Sequence, residues 1–91
     1  MRKIEKQMIQ ALKDRTFWKK DNTEVHSYGA VYLHNNHIAD VDPVTGELKV
    51  NLDTLRRWPS MTTRSRLRAL GANLVSIKGI LHLNGLSIYA Q

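Results

Sequence analysis

Five arginines, Arg56, Arg57, Arg64, Arg66 and Arg68, fall within thirteen residues, and no acid interrupts the stretch from Thr54 to Leu70. A guanidinium can hold two phosphate oxygens, or the O6 and N7 of guanine, through parallel N–H donors. Thr62, Thr63 and Ser65 stand among these arginines, and hydroxyls near a helix N-terminus suit phosphate oxygens. The chemistry implied is recognition of a polyanion, DNA or RNA, rather than bond making. The expected contacts are Arg56, Arg57, Thr63, Arg64, Ser65, Arg66, Arg68 and Lys78. Lys3, Lys6, Lys13, Lys19 and Lys20 would support them on phosphates.

The charge of the whole chain agrees, at +6 with a pI near 10.0. It is also segregated. Residues 1–20 carry seven bases against two acids, and residues 21–53 carry six acids against Lys49 alone. Two arrangements compete: the basic blocks line one surface, or they fold against the acidic middle and cancel. Exposed ion pairs contribute only about 0–1 kcal/mol, so cancellation alone is a weak reason for such a pattern. A basic surface is the expected outcome.

Other residue types offer less. His34 and His37 bracket Asn35-Asn36, so their rings are expected to approach each other across a hairpin. Zinc needs three or four protein ligands, the chain has no cysteine, and no metal is expected. Asp40 and Asp42, two apart on a strand, would share a face and with Asp53 could hold Mg²⁺ in a nuclease. No nucleophile elbow or phosphate-binding glycine loop accompanies them, so a non-catalytic protein without a cofactor is expected.

The elements that must position these groups follow from periodicity. The 91 residues make one α+β domain, 1–91: an N-terminal helix, a three-stranded antiparallel meander, a short helix-turn-helix and a C-terminal β-hairpin. No apolar run approaches the ~18 residues that span a bilayer, so no membrane is expected. Ile4, Met8, Ala11 and Leu12 form the buried stripe of a helix over 2–15. Residues 16–23 read as a connection. Phe17 and Trp18 either anchor it to the core or, beside Lys19 and Lys20, make a stacking platform for bases.

The meander runs from Val25 to Leu33, turns at Asn35-Asn36, returns over 37–41, turns again at 42–46 and ends over 48–52. Asp53 would cap a short helix that Pro59 stops, and Thr62 or Thr63 a second helix that ends before Gly71. In that second helix Leu67 and Leu70 face inward, with Arg64 and Arg68 on the opposite side. The closing hairpin turns at Lys78-Gly79, and Asn84-Gly85 leads into a last strand, Leu86 to Tyr89. Its uncharged edge makes a homodimer through that hairpin an expectation.

Two resemblances add to this. Thr62-Thr63-Arg64-Ser65-Arg66-Leu67-Arg68-Ala69-Leu70-Gly71 resembles the recognition helix of winged-helix repressors, within a unit spanning 52–83 whose hairpin would be the wing. A β-meander stands where such proteins carry another helix. The whole chain also resembles small proteins of tailed bacteriophages, through Met1 to Met8, Val31 to Ala39, Trp58-Pro59 and Thr62 to Leu67. That resemblance implies a phage protein in the host bacterial cytoplasm. The expected function is non-catalytic nucleic-acid binding, with DNA the first choice. The alternative is an inhibitor or adaptor that binds an acidic surface of a host protein.

Overall fold

Alternation of inward and outward residues builds two antiparallel sheets, and three helices pack on the inner face of the larger one. The computed structural model describes residues 1–91. The fold is α+β, as expected, with more strands than the sequence suggested. The larger sheet runs β1 (Trp18–Lys20), β2 (Thr23–Val25), β3 (Ala30–Leu33), β4 (Asn36–Val41) and β5 (Leu48–Val50), each paired with the next. The supposed connection at 16–23 is therefore a hairpin arm, turned at Asp21 with φ 53°.

The expected single strand from Val25 to Leu33 is two strands. Gly29 takes φ +103° and its N–H donates to the His26 carbonyl at 2.9 Å, reversing the chain. The next turn is also shifted by one residue. His34 and Asn35 hold the two positive φ angles, 50° and 64°, and Leu33 pairs with Asn36. In β4 the register slips so that Ala39 opposes Val31 while His37 opposes Tyr32. Ile38 is the extra residue of this bulge, so Ile38 and Ala39 are both buried. The slip also leaves His37 within 2.9 Å of Asp40.

Helix α1 (Lys3–Asp14) buries Met8 and Ala11, with Ile4 and Leu12 half-buried. It ends at Arg15 in the left-handed region. Helix α2 (Leu52–Arg57) is capped by Asn51, whose Oδ1 accepts from the Thr54 amide at 3.2 Å. Asp53, the expected cap, lies inside the first turn and pairs with Arg56. Helix α3 (Met61–Ala69) is capped by Ser60, whose Oγ accepts from the Thr63 amide at 3.1 Å. Thr62 and Thr63 are helical residues, not the cap.

The smaller sheet orders β6 (Leu74–Ile77), β7 (Ile80–Leu83) and β8 (Leu86–Ser87) through the two expected tight turns. Lys78, Gly79, Asn84 and Gly85 all have positive φ, as two-residue hairpin loops of the primed type require. The last strand is only two residues long. Ile88 turns into the core with 1% exposure, and Arg56 donates to the carbonyls of Ile88 and Gln91. The edge expected to be bare is thus short and partly tied down. One cluster of thirteen buried apolar residues, from Met8 to Ile88, joins both sheets and all three helices. Phe17 is not part of it and stands 60% exposed, whereas Trp18 packs against it.

Candidate nucleic-acid interface

Helix α3 divides the expected contact residues into two sets. Nine residues long, it turns Thr63, Arg66 and Leu67 into the protein and presents Met61, Arg64 and Arg68 outward. Arg66 is 4% exposed. Its Nη1 lies 2.8 Å from Glu5 Oε2 on α1, and its Nε donates to Thr23 Oγ1 at 3.1 Å. Ser65 Oγ donates to the same Glu5 oxygen at 2.6 Å. Arg66 and Thr63 therefore serve the interior and are not surface contacts; Ser65 is half-buried and committed to Glu5.

The reason is geometric. On this nine-residue helix Thr63 lies four residues before Leu67 and three before Arg66, so the face that buries Leu67 carries all three. Glu5 meets them because it shares the buried stripe of α1 with Met8. Burial pushes its carboxyl up, but the Ser65 and Arg66 hydrogen bonds, the Arg66 charge and a backbone bond from Arg2 outweigh that. The net position is below the ordinary 4.5.

A depressed folded value has a definite sign. The ion pair stabilises fully above the unfolded carboxyl range and less as pH falls through the folded value. Thermal melts from pH 7 to pH 3 should show the wild type losing stability in acid. In Glu5→Gln that loss should be smaller, since this carboxyl no longer takes up a proton on unfolding.

The outward set assembles with Arg2, which composition shows only as bulk charge. Arg2, just before α1, lines with Arg64 and Arg68 a groove of about 500 Å³ that Met1 and Met61 also border. Arg64 makes one long bond, Nε to the Ser60 carbonyl at 3.4 Å. Arg68 anchors its Nε on the Leu74 carbonyl at 3.0 Å, which leaves its terminal nitrogens free. Glu5 is the groove's acid, and Arg66 neutralises it from below. Three guanidinium groups on one concave surface can grip a phosphate backbone.

The other expected contacts lie elsewhere. Arg56 is held by the chain's own C-terminal carbonyls and by Asp53. Arg57 is exposed at the end of α2, and Lys78 sits at the tip of the β6–β7 turn. Lys3 and Lys6 are exposed on α1. Lys13 lies beside Arg15 and the 42–46 turn, and Lys19 and Lys20 beside Phe17 on the β1 side. The lysines thus form no single tract with the groove.

Cancellation against the acidic middle is limited to Lys19–Glu24 at 3.7 Å, the local Arg56–Asp53 pair and the Arg15 charge near Asp42. Asp40 and Asp42 border one hollow, but Asp53 does not join them. Asp40 pairs with His37, and Asp42 accepts from the Val44 and Thr45 amides, which draw its carboxyl below the usual range. His34 turns to Asn22 at 3.1 Å, away from His37.

Residues 1–88 match the model of the Kyanoviridae Gp96 protein family. The chain belongs to that family. It is accordingly a bacteriophage protein, in line with the resemblance to tailed-phage proteins. No curated protein and no solved structure matches the chain. The resemblance of 52–83 to a winged helix is not shown: a helix, a turn, a helix and a hairpin follow one another there, but α2 has only six residues. Helix α3 also buries two of the side chains that a recognition helix would offer. No helix is long and apolar enough to cross a membrane.

Proposed function

We propose that this phage protein binds nucleic acid, DNA in the first instance, without catalysing a reaction, in the cytoplasm of the bacterial host. The observation that carries this reading is the convergence of Arg2, Arg64 and Arg68 on one groove of a chain with net charge +6. Arginine at close spacing on a solvent-facing helix is poorly explained by stability, because exposed charges of one sign repel. Phosphates would relieve that repulsion and release counterions.

The test is fluorescence anisotropy with a labelled duplex at several salt concentrations, comparing wild type with Arg64→Ala/Arg68→Ala. Wild type should bind with strong salt dependence. The double variant should bind at least tenfold more weakly, with a log–log salt slope smaller by about 2, one for each lost phosphate contact. Equal affinity and slope in the two proteins would overturn the reading. Arg66 must be left intact in this experiment, since its removal would test folding instead.

A second reading draws on the exposed Met61 in the groove and on Trp58, 49% exposed just before α3. Apolar anchors among arginines suit an acidic host-protein surface, where a few buried side chains dominate affinity. Trp58→Ala should then abolish capture of that host protein, while leaving duplex binding unchanged.

A further inference from the structure

We propose that the outer face of the five-stranded sheet is a stacking platform for unpaired bases, and that the chain holds single-stranded nucleic acid there. The inference rests on the reading of the chain as a nucleic-acid binder and adds a second site with a different strand preference. All three helices pack on the inner face, so no helix covers the outer one.

Pairing places Lys19, Glu24, Tyr32 and His37 in one outward row across β1 to β4, with Asp40 and Lys49 paired at the β4–β5 edge. Beside and within this row five rings touch. Phe17 meets His26 edge-on at 5.4 Å between centroids, and His26 lies 5.4 Å from Tyr28 and 5.1 Å from Tyr32. Tyr32 in turn lies 5.1 Å from His37. A β-sheet face bearing contiguous planar side chains can receive successive bases on their π-faces, a mode duplex stacking forbids.

Two features make this a surface built for a ligand rather than a stray cluster. Phe17 and Tyr28 are 60% and 64% exposed, so they add little to the core while costing apolar exposure. The imidazoles are held in place: His26 Nε2 lies 2.6 Å from Glu24 Oε2, and His37 Nε2 lies 2.9 Å from Asp40 Oδ1. Those contacts orient the two imidazole rings. Lys49 on one edge strand, and Lys19 on the other by exchanging Glu24 at 3.7 Å for phosphate, would meet the backbone of a strand lying across the sheet.

The experiment uses a short single-stranded oligonucleotide carrying 2-aminopurine, and the duplex used above, with three proteins. Phe17→Ala/Tyr28→Ala removes the two most exposed rings and should leave the fold intact, which its melting temperature checks. It should bind the single strand at least tenfold more weakly, with the 2-aminopurine quenching reduced, and bind the duplex within twofold of wild type. Tyr28→Phe, which keeps the ring and drops the hydroxyl, should retain both binding and quenching. Unchanged single-strand affinity and quenching in the double alanine variant would overturn the platform, and the groove reading would stand untouched. If Arg64→Ala/Arg68→Ala leaves duplex binding intact while the ring variant loses the single strand, the groove fails and the platform stands. No binding of either probe by wild type at low salt would overturn both.

Discussion

Arg66→Met is expected to destabilise the protein by about 3–5 kcal/mol, the usual result of removing one partner from a buried ion pair. For 91 residues the total stability is about 5–14 kcal/mol at the common per-residue value, so the variant would lose a large share of it. Three groups lose their partner together. Glu5, 3% exposed, would keep only Ser65 and the Arg2 backbone N–H; Thr23, fully buried, would lose a donor; and α3 would be left with Ser65 as its one polar tie to Glu5 on α1. Methionine fills comparable space, which separates the electrostatic loss from a cavity.

Two controls sharpen this. Glu5→Leu/Arg66→Met removes both charges and should recover most of the loss, because a buried pair contributes little beyond an apolar pair of similar volume. The pH dependence should also reverse. Without Arg66, burial is the dominant influence on Glu5, so protonation relieves the single variant. Urea titrations at pH 7 and pH 4 should therefore show a smaller gap between Arg66→Met and wild type in acid. A gap of equal size at both pH values, or no loss at pH 7, would contradict the assignment.

This pair also shows which parts of the molecule the sequence makes legible. Turns written in local chemistry, such as Lys78-Gly79 and Asn84-Gly85, were readable because positive φ at both centres admits few residue types. Helices α1 and α3 are legible from apolar spacing, but their polar inward residues are not. The signal existed: Glu5 lies three residues before Met8 on the buried stripe, and Arg66 lies beside Leu67. A carboxylate and a guanidinium on two inward faces need each other, yet composition counts both as surface charge. The same counting hid Arg2, whose role depends on α1 beginning beside α3. Caps slipped for a simpler reason, since Ser60, Thr62 and Thr63 can all accept a backbone N–H and only the chain's path selects Ser60.

The break between β2 and β3 was hidden because Val25 to Leu33 alternates well enough to pass for one strand, and Gly29 shows why it is two. Gly29→Ala should cost about 3–5 kcal/mol, comparable with the buried ion pair though the change adds one methyl group. The backbone holds φ +103°, and a Cβ there would lie 1.9 Å from the Val41 carbonyl oxygen. Neither side can yield. Gly29 donates to His26 and its carbonyl accepts from the Val41 amide, both at 2.9 Å, so moving the chain breaks the turn and the β3–β4 edge together.

Gly46→Ala is the matched control, with φ +76° and nothing within 4 Å of the added carbon. It should cost only the left-handed penalty of about 1–2 kcal/mol. Denaturant midpoints for the two variants then separate backbone strain from collision; equal losses would mean that Gly29 is retained for φ alone. Because the 26–29 turn also carries His26 and Tyr28 to the outer sheet face, Gly29→Ala should in addition disperse the ring cluster. Quenching of a bound 2-aminopurine strand should fall with it even where the variant remains largely folded.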